Sequence, residues 1–335
     1  MKQYYLKVDF PRDGFNAEGK APADVNRIMD AAGYEALTLK VSPSEWFGGL
    51  LSRRACKRAV RQLQTGDTLF VQYPFYIPCA SYLGRLLARS GAHLQVLVHD
   101  LDAMRGGREE SPELLRTADC LVVHTPAMKS LLVSQGFEAA RIRELFFFDY
   151  LITQQRQAPL AFGRDITFAG NLCKSHFLRK LADDDTLSTL RFNLYGAECP
   201  DGVTGHNVTY RGCFAPEELS GLTGDWGLVW DGEDTDTCRG GHGLGRYLQY
   251  NASHKLSLYL AARMPLIVWE KSGLADYVTS HHLGIAVASL ADIPAQLASV
   301  SPEERQQMTN ALETYGRKVT NGEMLQTALG LTTTT

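Results

Sequence analysis

Short apolar runs recur along the chain, separated by segments whose apolar residues repeat near every 3.6 positions. In the first half these runs lie at 4–10, 34–41, 68–74, 94–100, 120–125 and 142–148. Runs of this length are typical of buried strands, and the intervening segments, several of which end at glycine, are typical of helices. Strands that alternate with helices predict a parallel sheet covered on both faces, and therefore one Rossmann-like domain.

The alternation stops after Phe148 and restarts at Asp165, so the polar stretch between them is predicted to be a linker. In the second half the apolar runs lie at 165–171, 190–196, 207–212, 226–232, 265–270 and 284–290. They predict a second Rossmann-like domain. The final segment predicts a helix that starts at a Ser301–Glu304 capping box, breaks at Gly316 and continues as a second helix.

Composition narrows the class of protein. The 335 residues exceed the roughly 100–150 of one compact domain, which agrees with two domains. With 34 Lys+Arg against 37 Asp+Glu the net charge is −3, so bulk charge does not favour nucleic-acid binding. No export signal or long apolar run is present, and the seven cysteines are scattered singly. We therefore expect a cytoplasmic protein that does not span a membrane.

Two common nucleotide-binding motifs are missing. No G-x-G-x-x-G follows the first strand, GGHGLG at 240–245 fails that spacing, and no P-loop occurs. These gaps weigh against dehydrogenases and kinases.

In open parallel sheets, ligands bind beyond the carboxyl ends of the strands. His99, Asp100 and Asp102 follow a strand of the first domain and could supply a general base. A structural hydrogen-bond cluster or helix cap explains them equally well, and a metal site is less favoured. The loop with Gly14 and Gly19 could offer backbone amides to an anion, or could be a plain turn.

In the second domain, two strands end on Gly170-Asn171 and on Tyr195-Gly196. Glycine there lets a ligand approach the backbone, and Lys174 could neutralise a phosphate. A tight turn and a solvated lysine are the alternatives.

The polar loop before the apolar segment 256–262 carries the strongest signal. Asn251 is the expected N-cap and Ser253 the alternative, which places Lys255 in the first helical turn. A cation there is disfavoured by the helix dipole unless an anion lies nearby, and a phosphate would satisfy that condition. The alternative is an exposed lysine that the helix tolerates at a small cost. Glu270 ends the following strand and could accept sugar or ribose hydroxyls.

Several motifs carry a resemblance to a known family: GNL-x-KS (170–175), VWDG (229–232), N-x-x-HKLSLYLAA-x-x-P-x-IVWE (251–270), NAEGKAP (16–22) and HDLDAMR (99–105). On these residues the chain resembles bacterial GT-B glycosyltransferases. Within them it is most similar to the galactofuranosyltransferase group, which also contains glucosyltransferases that extend O-linked N-acetylglucosamine on serine-rich adhesins. The resemblance implies a UDP-sugar donor, metal-independent transfer without a further cofactor, and a final helix that crosses back to the first domain.

The resemblance also implies residue roles. Asn251, His254 and Lys255 would surround the donor diphosphate, and Gly170, Asn171 and Lys174 would lie along the same cleft. The Asn16 loop would close the site from the other domain. A Gly-rich insert at 238–250 departs from the family pattern.

We therefore predict an α/β protein of the GT-B fold, with two Rossmann-like domains facing a central cleft. Residues 1–153 would form the acceptor-side domain, 154–312 the nucleotide-sugar domain, and 313–335 the returning helix. The predicted function is transfer of a hexose (galactofuranose, galactose or glucose) from a UDP-sugar to a glycan, glycolipid or glycoprotein.

Two rival functions are weighed against this prediction. One is a catalytically silent subunit that binds glycan or stabilises a partner enzyme. The other is a nucleotide-sugar epimerase, which would need the missing nicotinamide fingerprint. No nucleic-acid partner is expected. Peripheral association with the inner face of the membrane and a homo-oligomer both stay open.

Overall fold

The computed structural model describes residues 1–9, 19–41, 48–105, 107–181, 183–238 and 244–331. Over these ranges the chain forms two separate six-stranded sheets, and all the paired strands within them are parallel. Backbone contacts divide the chain into two compact units. The first unit joins Met1–Leu145 to the residues from Leu325 onward, and the second is Phe146–Met324.

The first unit has the strand order β2-β1-β3-β4-β5-β6. Its elements are β1 (Gln3–Asp9), α1 (Lys20–Ala31), β2 (Glu35–Lys40), α2 (Gly48–Val60), β3 (Thr68–Tyr73), α3 (Ala80–Leu87), β4 (His93–Val98), α4 (Pro112–Thr117), β5 (Cys120–Val123), α5 (Pro126–Ser134) and β6 (Ile142–Glu144). All four residues of β5 are buried, as expected for a parallel strand covered on both faces.

The second unit has the strand order β12-β11-β10-β7-β8-β9. Its elements are β7 (Asp165–Ala169), α6 (Leu178–Leu181), β8 (Arg191–Tyr195), β9 (Val208–Tyr210), β10 (Trp226–Val229), α7 (Leu244–Tyr247), α8 (His254–Ala261), β11 (Leu266–Trp269), α9 (Ala275–Ser280), β12 (Gly284–Val287), α10 (Ile293–Ser299) and α11 (Pro302–Thr320). The last helix, α12 (Glu323–Leu329), begins at the end of this unit and continues into the first.

Each apolar run of the sequence coincides with a strand, which confirms the predicted α/β class. Gly91 has a φ of +75° but lies three residues beyond Ala88, the C-cap of α3. Gly33 and Gly136 come directly after the C-caps of α1 and α5 and have left-handed backbones, with φ of +84° and +88°. A side chain is strained in that conformation, so glycine at these positions ends the helix as predicted.

The boundaries of the compact units lie at Leu145 and Met324, whereas the sequence placed boundaries at 153 and 312. Phe147 and Tyr150 account for the first difference, because both are buried in the core of the second unit. At the other end, Leu325, Ala328 and Leu329 are buried within the first unit. There the Arg143 guanidinium donates a hydrogen bond of 3.1 Å to the Ala328 carbonyl.

The C-terminal helix confirms one prediction and corrects another. The capping box is present, because Ser301 Oγ accepts from the Glu304 amide at 3.2 Å and the Glu304 carboxylate accepts from the Ser301 amide at 2.7 Å. The predicted break at Gly316 is wrong, since α11 continues to Thr320. A Cβ at Gly316 would lie 2.8 Å from the Leu260 carbonyl oxygen, so this glycine permits close packing of α11 on α8.

Candidate functional site

Four strand ends of the second unit meet at one edge of its sheet, because β11, β10, β7 and β8 are parallel neighbours. The residues just beyond them are Gly170 after β7, Gly196 after β8, Asp231 after β10 and Glu270 after β11. Ligands of parallel sheets bind at such an edge. The N-terminus of α8 contributes Lys255 to the same place.

Lys255 and Asp231 form an ion pair at the centre of this edge. The ammonium Nζ lies 3.1 Å from Oδ1 and 3.4 Å from Oδ2 of Asp231. The two side chains are 15% and 26% exposed, so the pair is largely screened from water yet open on one side. An ammonium has three donors, and one carboxylate leaves it the capacity to bind another anion.

The β7 end holds the lysine stem in place. Nζ lies 5.1 Å from the centroid of the Phe168 ring, which suits a cation–π contact. A Cβ at Gly170 would approach Lys255 Cε to 2.9 Å, so any larger residue would push the lysine aside. Gly170 therefore leaves the space that the Lys255 side chain occupies, which is a more specific role than forming a turn.

The expected N-cap of α8 is corrected. Ser253, and not Asn251, is the N-cap, because the Leu256 amide bonds the Ser253 carbonyl at 2.9 Å. The Ser253 side chain makes no capping hydrogen bond. Lys255 lies in the first turn as predicted, and its nearby anion is Asp231. The dipole conflict noted in the sequence is thus relieved within the protein itself.

Two other predicted residues flank this turn. In the described part of the chain, the buried Asn251 Oδ1 has no hydrogen-bond partner. Such an acceptor is rare in a folded protein and suits a donor group from a ligand. The His254 ring packs against Tyr150, with centroids 4.9 Å apart, and against Phe148 at 6.0 Å. His254 thus joins the helix start to an aromatic cluster.

The ends of β7 and β8 pack backbone to backbone. The Gly170 amide bonds the Tyr195 carbonyl at 2.9 Å, and a Cβ at Gly196 would lie 2.1 Å from the Gly170 oxygen. The buried Tyr195 hydroxyl lies 2.8 Å from Thr223 Oγ1 and accepts from the Thr223 amide at 3.1 Å. Its side chain supports the strand end from within the core.

The remaining predicted donor residues lie at the solvent-facing margin. Asn171 Oδ1 accepts from the Lys174 amide at 3.1 Å, and both side chains are exposed. The Glu270 carboxylate is 43% exposed and lies 3.6 Å from Lys271 Nζ. Asn16 falls outside the described residues.

The predicted acidic cluster of the first unit follows β4. His99 Nε2 lies 2.8 Å from Gln72 Oε1, and it is the donor because an amide oxygen only accepts. The Gln72 amide nitrogen donates in turn to Asn26 Oδ1 at 2.9 Å. His99 is therefore tied to a network that reaches α1.

The two aspartates have different surroundings. Asp100 Oδ2 accepts from the Tyr76 hydroxyl at 3.2 Å, and Asp102 begins a short 3-10 helix over Asp102–Arg105. Glu110 accepts from the amides of Phe75 at 2.7 Å and Tyr76 at 3.0 Å. Burial raises the pKa of Glu110, and the charge of Asp102 raises it further, while the backbone donors oppose the rise.

Sequence reasoning missed three residues of these two clusters: Asp231, Tyr76 and Glu110. Asp231 had a visible signal, because it lies at the end of the predicted strand 226–232 within VWDG. Tyr76 and Glu110 had none, since neither directly follows a strand.

Two structural features are absent from the described ranges. No cluster of three or more His, Cys, Asp or Glu there is arranged to hold a metal ion. None of the helices in those ranges has the length and apolar character needed to cross a bilayer.

Comparison with known proteins covers nearly the whole chain. Residues 4–144 match the glucosyltransferase 3-like N-terminal domain, and residues 166–331 match the glucosyltransferase 3-like C-terminal domain. The chain is 29% identical to β-1,6-galactofuranosyltransferase WbbI of Escherichia coli K12, over 80% of this chain and 79% of that protein. It is 26% identical to glucosyltransferase 3 of Streptococcus gordonii, over 61% of this chain and 58% of that protein.

Solved structures share the fold at low identity. Sucrose-phosphate synthase from Thermosynechococcus elongatus aligns with a TM-score of 0.63 and 13% identity, over 98% of both chains. An α-glucosyltransferase in complex with UDP and DNA aligns with a TM-score of 0.58 and 11% identity, also over 98% of both chains. With the two parallel sheets, these likenesses confirm the GT-B fold.

Proposed function

This chain belongs to the glucosyltransferase 3-like family of glycosyltransferases, and from that premise we propose that it transfers a hexose from a UDP-sugar to a hydroxyl of a glycan, glycolipid or glycoprotein. The half-buried Lys255 at the strand-end edge of the second unit carries the proposal. A relative named as a galactofuranosyltransferase and another named as a glucosyltransferase support a hexose as the transferred group.

Lys255 is proposed to bind the donor diphosphate. Its ammonium lies at the N-terminus of α8, where the helix dipole also favours negative charge. In the transfer step an acceptor oxygen bonds to the sugar C1 while the bond from C1 to the diphosphate oxygen breaks, so negative charge grows on UDP. A cation already held by Asp231, Phe168 and Gly170 stabilises that charge without reorganisation.

The acceptor proton is proposed to pass to Asp100 or Asp102. Both follow β4 at the carboxyl end of a parallel strand, and His99 beside them is fixed by Gln72. A carboxylate within hydrogen-bond reach of the acceptor hydroxyl acts as a general base. Glu110 is a less suitable base because two backbone amides occupy its carboxylate.

Calorimetric titration of UDP tests the donor site. Lys255→Met keeps the length of the stem and removes the charge, so UDP affinity should fall about ten- to a hundredfold, or roughly 1.5–3 kcal/mol. The double variant Lys255→Met/Asp231→Asn also removes the carboxylate left unpaired, and its affinity should stay low. Lys318→Met on α11 is the matched control and should bind UDP as the natural protein does.

Transfer assays test the reaction itself. Turnover is measured with UDP-galactofuranose, UDP-galactose and UDP-glucose, and Asp100→Asn and Asp102→Asn are compared at saturating donor. Loss of the base should reduce kcat about 10²- to 10⁴-fold while UDP affinity is kept. Unchanged UDP affinity in Lys255→Met would refute the proposed donor site. Tight UDP binding without transfer to any acceptor would instead favour a catalytically silent subunit.

A further inference from the structure

One face of α2 is strongly basic and has no part in the proposed reaction. Arg53, Arg54, Lys57, Arg58 and Arg61 are all exposed on α2 and the turn that follows it, and we call them the α2 basic face. Residues 48–66 contain no Asp or Glu. This concentration stands out in a chain whose net charge is −3.

The opposite face of α2 anchors the helix to its own unit. Ser52, Cys56 and Ala59 are buried, and the helix packs against α3 and β2. The helix is therefore a fixed part of the first unit, and its cations point away from that unit's core. The five basic side chains are exposed to solvent.

Two leucines are exposed at the N-terminal end of the same helix. Leu50 is 58% exposed and Leu51 is 51% exposed, which makes them two of the few large apolar side chains in the described ranges that water reaches freely. Neighbouring leucines are unusual beside such a dense positive charge. Together the two leucines form a small exposed apolar patch next to the cations of α2.

The adjacent helix α3 extends the positive charge. Arg85 on α3 and Arg89 just after that helix are exposed, and Arg53 lies 5.4 Å from the centroid of the Tyr82 ring on α3. Two acidic residues lie beside this surface: the Glu113 carboxylate is 3.5 Å from Arg89, and Glu110 is close enough to Cys79 to act on the same thiol as Arg53. Two carboxylates do not offset seven cations, so the surface has an excess of positive charge.

We propose that the α2 basic face and the Leu50–Leu51 pair form a docking surface for a membrane that contains anionic lipids. Cations near such a surface each contribute about fivefold to binding, and clusters of four to eight are typical of lipid-binding segments. The exposed leucines favour a bilayer over a nucleic acid, because apolar side chains enter the lipid interface but find no partner on a phosphate backbone. Docking brings the enzyme to lipid-linked acceptors.

Vesicle co-sedimentation of the full chain tests the proposal. The probes are vesicles of phosphatidylcholine alone and of phosphatidylcholine with one part in three phosphatidylglycerol. We expect binding only to the anionic vesicles, and release at about 1 M salt, where the Debye length is about 3 Å. Arg54→Gln/Lys57→Gln/Arg58→Gln should lower the partition coefficient about a hundredfold, and Leu50→Ser/Leu51→Ser should lower it tenfold or more.

The control removes the same charge elsewhere. Arg141→Gln/Arg164→Gln/Arg179→Gln replaces three exposed cations outside this surface and should bind vesicles as the natural protein does. Every variant should keep its circular dichroism spectrum and its affinity for UDP, which separates this proposal from the donor site. Absence of binding, equal binding to neutral vesicles, or an equal loss in the control would overturn it. So would binding of a labelled oligonucleotide in place of vesicles.

Discussion

At the scale of single residues, the proposed donor site depends on the absence of a side chain at Gly170 as much as on the charge of Lys255. The missing side chain at Gly170 leaves room for the lysine stem between β7 and Asp231. A cation in the first turn of a helix destabilises that helix unless an anion is near. Asp231, which follows β10, is that anion, so the lysine is positioned before any ligand binds.

Gly170→Ala tests this arrangement without altering a charge. The new Cβ would lie 2.9 Å from Lys255 Cε, and because a lysine side chain is flexible it would move away. We expect the free energy of unfolding to change by less than about 1 kcal/mol. UDP affinity should fall about tenfold as Nζ leaves its place.

The matched control is Gly221→Ala in the same unit, where a Cβ meets no atom within 4 Å. Its UDP affinity, measured by the same titration, should equal that of the natural protein. If Gly170→Ala also binds UDP normally, the stem of Lys255 does not need to lie where we place it.

At the scale of helices and strands, α11 shows why a glycine can be misread. Glycine inside a helix costs about 1 kcal/mol relative to alanine, so a break at Gly316 was the natural prediction. The helix instead continues, because the gap over Gly316 admits the Leu260 carbonyl and the Arg263 stem. Gly316 lets α11 pack closely on α8. The sequence pattern of one helix cannot reveal a contact with another helix.

Gly316→Ala should therefore destabilise the protein despite alanine's better helix propensity. The Cβ would lie 2.8 Å from a backbone oxygen, which cannot rotate aside, so α11 must shift from α8. Overpacking costs about 1–3 kcal/mol, and the propensity gain of about 1 kcal/mol offsets part of it. Urea unfolding should therefore show a net loss of up to about 2 kcal/mol. Thr314→Ala, at an exposed position of α11, should reduce the free energy of unfolding much less. A gain in stability for Gly316→Ala would show that α11 can move away from α8 at no cost.

The strands could be predicted from sequence because buried parallel strands are short apolar runs punctuated by glycine. The site could be predicted only in part. Lys255 was visible from its conflict with the helix dipole, but its partner Asp231 lies 24 positions away and is set beside it by the fold. Glu110 reaches the amides after β3 from a loop, and that contact also exists only in three dimensions.

At the scale of the whole molecule, the first compact unit is built from both ends of the chain. The last helix begins within the final residues of the second unit, yet the residues from Leu325 onward belong to the first. Leu325 and Leu329 are 1% and 5% exposed, and the Ala328 carbonyl accepts a hydrogen bond from Arg143 on β6. The first unit is therefore complete only when the end of the chain has been made.

Leu325→Ala should accordingly weaken the first unit and leave the second nearly unchanged. Removing a buried leucine side chain costs about 2–5 kcal/mol, depending on how far the surroundings close the cavity. Because amide exchange of core strands follows the opening of the unit that contains them, exchange should accelerate in β5 and β6 and stay slow in β10 and β11. Gln326→Ala, at the neighbouring half-buried position, should leave both pairs of strands protected. If exchange accelerates equally in both units, they unfold as one cooperative body. If exchange in β5 and β6 is unchanged, the first unit does not depend on the C-terminal helix α12.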